Sequence, residues 1–140
     1  MTKYAKETSV AVDKTRAEIE RTLERYGASA FAYANDGKKA TIAFRASDRN
    51  IRFDLALPQR DGFTSQAKLE QAQRSIWRAM LLCIKAKLEA VESAIESFDE
   101  AFFAHVVMPD GRTIYEAARA NVALAYQGRD VPLLPDYSRT

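Results

Sequence analysis

Acid–base, nucleophilic or metal chemistry would have to come from a short list of side chains. The chain has one histidine, His105, and one cysteine, Cys83. A lone histidine excludes a multi-histidine metal site and an HExxH helix. A lone cysteine excludes an internal disulfide and a thiolate zinc site. His105 ends the apolar segment "AFFAHVVM" and is expected to be structural. Cys83 is expected on the flank of a buried helical stripe, as a small hydrophobe. No GxGxxG, GxxxxGKS/T or GxSxG occurs, so the usual nucleotide loops are excluded. Ser47, Ser65, Ser75, Ser93 and Ser97 fall in turns, caps or helix surfaces, with no base beside them.

The carboxylates offer slightly more. On a helix of 3.6-residue period, Glu89, Glu92 and Glu96 lie within about 60° of one another, and Asp99 and Glu100 follow. Such a group could hold Mg²⁺, but a solvated acidic face is the commoner arrangement. Asp54, with Lys38 or Lys39 across a turn, is the one strand carboxylate near lysine. These sets are too thin for a mechanism. The expectation is a protein that is not an enzyme and takes no metal or cofactor.

The feature above background is basic. Lys38 to Lys87 holds eleven Lys or Arg against four Asp or Glu. Leu88 to Asp110 holds six Asp or Glu and no Lys or Arg. The net charge of +2 conceals this asymmetry. Arg45 and Arg52 project from strands opposite Ile42, Phe44 and Phe53, and Arg49 stands in the turn between them. On the long helix Arg74, Arg78 and Lys85 fall within about 40° of each other. If the helix packs under the sheet, the six could join along one edge as a surface tracking phosphates without reading sequence. Arginines on an open sheet face also serve solubility and discourage edge pairing.

The elements that position these residues follow from periodicity. "VDKTRAEIERTLERYGA" is a helix capped at Asp13 or Thr15, with Thr15 and Glu18 at capping-box spacing. Ala17, Ile19, Leu23 and Tyr26 form its apolar stripe, and Gly27 suits a left-handed C-terminal cap. Strands over 30–34, 40–46 and 51–57 alternate as an antiparallel meander, turned at Asp36-Gly37 and at "SDRN". Ile42, Phe44, Ile51, Phe53, Leu55 and Leu57 share the greasy face. The other face is small: Ala30, Ala32, Ala34, Ala43 and Ala56. Pro58 ends the ladder.

Thr64 or Ser65 caps a long helix running to about Glu96. Trp77, Leu81, Ile84, Leu88, Val91 and Ile95 form its heptad seam, and Ile76, Met80 and Cys83 widen it. Ser97 and Thr113 open two further capping boxes. A short helix through about His105 follows the first. A helix to about Gln127 follows the second, with 106–113 as a turn or a small hairpin. An extended tail over 128–140 is expected either to dock through Leu133 and Leu134 or to fray. The fold class is α+β: a three-stranded antiparallel sheet packed on a long central helix, with N- and C-terminal helices, in one domain over 1–140. No run reaches ~18 apolar residues, so no membrane span is expected. The N-terminus lacks the apolar core of a secretory signal.

The helix–meander–helix order resembles double-stranded RNA-binding domains in topology alone, since their lysine cluster is replaced here by "SQAKLEQAQR". "KYAKETSVAVDKTRAEIERTLERYGA", "IKAKLEAVESAIESFDEAF" and "MPDGRTIYE" resemble small proteins of tailed phages and prophages. The resemblance covers most of the chain and carries no catalytic role. It implies a bacterial host cytoplasm during phage growth. It also implies one of two accessory roles. The first is sequence-independent nucleic-acid binding in phage DNA replication or recombination, through Arg45, Arg49, Arg52, Arg74, Arg78 and Lys85. The second is inhibition of a host defence protein by direct contact, for which Glu89, Glu92, Glu96, Asp99 and Glu100 could imitate a row of phosphates. The opposed charge blocks and the alanine face also suit a homodimer.

Overall fold

The computed structural model describes residues 3–139. Helix α1 (Lys3–Arg25) leads into strands β1 (Ser29–Asn35), β2 (Lys39–Ala46) and β3 (Arg49–Ala56). Helix α2 (Gln66–Glu92), the short α3 (Phe98–Phe102) and α4 (Ile114–Tyr126) follow. The sheet is antiparallel in the order β1-β2-β3. The protein is α+β, with a long central helix and helices from both ends of the chain.

Turn chemistry sets the register. Ala46 pairs with Arg49, leaving Ser47 and Asp48 as a two-residue loop with φ of +50° and +60°. Positive φ at both positions is the hairpin turn whose twist matches the strands. At the other hairpin the Asp36 carboxylate accepts from the backbone N–H groups of Lys38 and Lys39, at 2.9 and 2.8 Å. Ile42 then stands opposite Phe53, and Phe44 opposite Ile51. All four are buried in one cluster with Ile19 and Leu23 of α1, Trp77, Leu81, Ile84 and Leu88 of α2, and Phe102 of α3.

Two hairpins and the reversals into β1 and out of β3 turn the chain four times, so α1 and α2 end parallel on the same sheet face. Arg74 reaches Thr8, and Lys85 reaches Glu18, in the same sequence direction on both helices. The α1 side of this seam is Thr8, Val12, Thr15, Ile19 and Thr22, alternating steps of four and three like the α2 seam. The three threonines are buried. Thr15 and Thr22 donate back to the carbonyls of Ala11 and Glu18, and Thr8 accepts from Arg74, so their hydroxyls are satisfied.

Several expectations change. Thr15 and Asp13 lie inside α1, which starts ten residues earlier than expected; nothing from Lys3 onward breaks a helix, and Thr15 uses its hydroxyl on Ala11. Tyr26 is exposed, past the helix end, where Ala28 N–H bonds the Leu23 carbonyl and Gly27 has φ +90°. Helix α2 stops at Glu92. Ala94 takes φ +57°, and the N–H groups of Ile95 and Glu96 both turn back to the Ala90 carbonyl. Ile95 therefore leaves the seam and is 78% exposed. Cys83 is exposed, not packed on the stripe. The Ser97 and Thr113 capping boxes form as expected, each with both reciprocal bonds.

Candidate partner-binding face

Strand alternation sends Thr41, Ala43 and Arg45 of β2, and Arg52, Asp54 and Ala56 of β3, to the face turned away from the helices. Ala32 and Ala34 of β1 join them, with register at Ala32↔Ala43 and Ala34↔Thr41. Ala32, Ala34 and Ala56 are exposed, and Thr41 and Ala43 are half-buried. The result is a flat floor of methyl groups. One flank is walled. Val106 bridges Ile51 beyond the β3 edge, and Val107 bridges Thr113 to bring in the start of α4. The other flank is β1, an edge with no further strand among the described residues.

The structure divides the six expected cations between two layers. Arg45, Arg49 and Arg52 are on the open face and its turn. Arg74, Arg78 and Lys85 are on α2, across the sheet. Arg74 and Lys85 turn toward α1. Arg74 Nη1 donates to Thr8 Oγ1 at 2.6 Å, and Lys85 Nζ to Glu18 at 3.1 Å. The Lys85 ammonium beside Glu18 holds that carboxyl below its ordinary range. Arg78 is exposed, with no ion pair among the described residues.

On the open face the cations meet carboxylates. Arg52 donates to Asp54 at 3.3 Å, to the Gly111 carbonyl at 2.7 Å and to the Glu116 carboxylate. Asp54 also accepts from Thr41 at 2.8 Å and lies 3.9 Å from Lys39. Arg49 pairs with Asp99 at 3.3 Å, and Arg45 lies 3.9 Å from Asp48. Glu116 sits below the usual carboxylate range, mainly through the Thr113 N–H it accepts and then through Arg52.

The acidic residues are also partly committed. Glu89 accepts from Ser93. The Glu92 carboxylate beside the Tyr26 hydroxyl raises that phenol. Asp99 holds Arg49. Glu100 closes its capping box, and the Ser97 N–H draws its carboxyl below the ordinary range. Glu96 is exposed on the turn after α2. Among the described residues no group of three or more His, Cys, Asp or Glu could hold a metal ion.

His105 is half-buried, its ring stacked on Phe53 at 4.0 Å between centroids. Burial, and then the Lys87 charge, lower its pKa, which leaves the ring neutral at pH 7. Trp77 is 2% exposed, in the core as expected. Sequence reasoning missed the role of Glu116 on this face; the signal was its place in the Thr113 capping box, which points its carboxylate at the chain entering α4.

No protein-family model, no curated protein and no solved structure matches this chain. Among the described residues no helix is long and apolar enough to cross a membrane.

Proposed function

We propose that this chain is a phage accessory protein that acts by binding in the bacterial cytoplasm, and that its partner is a host defence protein held on the open sheet face. The observation that carries this reading is the matching of charges on that face. Arg45, Arg49 and Arg52 each have a carboxylate within reach, so the surface lacks the unpaired cations that phosphate tracking requires. What it offers is flat, small and exposed, which suits close approach by another protein surface. The phage resemblance supplies the kind of partner.

Nucleic acid is the second reading, supported by one specific feature. The side chains of Arg45 and Arg49 are 49% and 45% exposed. Exposed ion pairs contribute about 0–1 kcal/mol, so a phosphate can displace Asp48 or Asp99 cheaply. A second copy of the chain, laid on the β1 edge, is the third outcome to be distinguished.

A photo-crosslinking amino acid at Ala34 or Ala43, in cells infected by phage, separates the three. The expected result is one discrete adduct to a host protein from both positions, and none from Ala79 on the far side of α2. Adducts of self mass would identify a dimer. Loss of adducts on Ala43→Glu supports the face. Equal labelling from Ala79 overturns it. Salt-sensitive binding of the purified protein to single-stranded or duplex DNA, abolished by Arg45→Glu with Arg49→Glu, would replace the protein partner with nucleic acid.

A further inference from the structure

A second site lies in the helix layer, independent of the sheet face. Glu70, in the second turn of α2, is 2% exposed. Its Oε1 accepts from Gln66 Nε2 at 3.1 Å. Its Oε2 is buried with no hydrogen-bond partner among the described residues. Arg74 stands four residues on, at helix ion-pair spacing, yet its Nη1 is spent on Thr8. A buried acceptor left unmatched is costly, and such groups in folded proteins call for a partner.

Glu70 lines a cleft of about 360 Å³ between α1, the start of α2 and the β1–β2 turn. Val12, Leu57, Tyr33 and Trp77 give it apolar and aromatic walls. Asp13 and Glu70 are its charged lining residues, and no Lys or Arg lines it. The aromatic wall already favours cations: the Arg16 guanidinium sits over the Tyr33 ring at 4.4 Å from its centroid.

We infer that this cleft binds an alkylammonium group, free or at the end of a lysine side chain. Its N–H bonds supply the donor that Glu70 Oε2 lacks. The Glu70 carboxylate matches its charge, with Asp13, 3.7 Å from Arg16, at the rim, and Val12, Leu57 and the Trp77 ring receive its methylenes. A ligand of the same size without a cationic donor would leave the Glu70 carboxylate unmatched.

Trp77 is the only tryptophan of the chain and lines the cleft, so its fluorescence reads occupancy directly. The probes are n-butylammonium and cadaverine as free amines, Nα-acetyl-lysinamide as the side-chain source, and butanol as the neutral counterpart. A saturable change with the amines and none with butanol is expected. The tighter of the two amine classes identifies the source. Glu70→Gln should weaken amine binding at least about ten-fold, through loss of a charge-assisted hydrogen bond. Ser9→Phe, at an exposed α1 position that lines the cleft, should block binding with Glu70 intact, and it decides the matter if Glu70→Gln does not fold. The inference is overturned if no amine saturates, if butanol binds as well, or if Glu70→Gln, or Ser9→Phe where Glu70→Gln does not fold, binds like the wild type. Failure here leaves the crosslinking result at Ala34 and Ala43 untouched.

Discussion

Replacing Arg52 by alanine should free α4 while the sheet and α2 stay folded. Helix α4 buries one residue, Ala117. One backbone bond ties the segment before it to β3, Val107 N–H to the Asn50 carbonyl at 2.8 Å, and Ile114, partly buried against the core, bonds through its N–H to the Val106 carbonyl of that segment at 2.9 Å. The main side-chain tie is the Arg52 guanidinium, which joins β3 to Gly111 and Glu116. Its side chain is 23% exposed, so it counts for more than a surface pair. Glu116 and the Gly111 carbonyl are reachable by water after the change, so neither is left as a buried orphan. About 2 kcal/mol is a fair value for this partly screened node, which corresponds to a roughly 30-fold larger open population of α4.

Trypsin reads that population at Arg119, in the middle of α4, because cleavage tracks the open state when closing is fast. Cutting at Arg119 should accelerate by about 30-fold and should hardly depend on low urea, since local opening exposes little surface. Arg52→Lys keeps the charge without the planar fork and should fall between the two. If Arg119 is cut no faster in Arg52→Ala, the guanidinium is not the tie. If cutting shows the urea dependence of global unfolding, α4 opens only with the core, and the reasoning fails.

Phe102→Ala should cost about 3–5 kcal/mol, a large share of a typical total of about 5–15 kcal/mol, because Phe102 is fully buried and meets Phe44, Phe53 and Phe98 ring to ring; a loss of less than about 1 kcal/mol, from the urea midpoint shift multiplied by m, would contradict it. Ala94→Gly should stabilise by about 0.5–1 kcal/mol, the left-handed cost of an alanine less the extra unfolded-state freedom of glycine, and an unchanged or lower Tm would show that the cap carries no strain. Acid should loosen α4 first. Glu116 is depressed in the folded state, so its contribution is complete above the unfolded carboxyl range and is lost as pH falls through the folded value. Amide NMR signals of α4 should therefore broaden or move below pH ~4 while those of α2 persist, and simultaneous loss of both would contradict it.

Most of the fold is legible in the sequence because several rules agree over each element. In β2 and β3, alternation and the turn residues point to one register, and Ile42, Phe44, Ile51 and Phe53 all face the core. Both capping boxes form because Ser97 and Thr113 are followed three residues on by glutamate. The failures have physical causes. The end of α2 has no glycine to announce it, since Ala94 itself adopts the left-handed cap. The α1 seam is hidden because three of its five positions are threonines, which read as polar until their hydroxyls are seen bonded, Thr15 and Thr22 to the preceding turn and Thr8 to Arg74. The expected joined basic surface is the larger miss. Helical and strand periodicity place residues on faces correctly, but they do not say that Arg74 and Lys85 turn to α1 while the strand cations face the other way.

The same geometry changes what the charge asymmetry of the chain means. Eleven cations followed by six carboxylates would make a strong dipole if the two blocks folded apart. They fold together instead: Asp99 of the acidic block reaches back to Arg49 at 3.3 Å. Further carboxylates, Glu18 and Glu116, come from α1 and α4 to meet Lys85 and Arg52. Pairs this close cancel at distances beyond the screening length of about 8–10 Å at physiological salt. If the open face binds as proposed, a partner approaching it would meet little long-range field, and its recognition would rest on contact. On that face contact means a row of alanine methyl groups bordered by charges that are already neutralised. Such a surface discriminates by shape, and by whether an incoming group can share Asp54 or Arg49 without stripping its present partner.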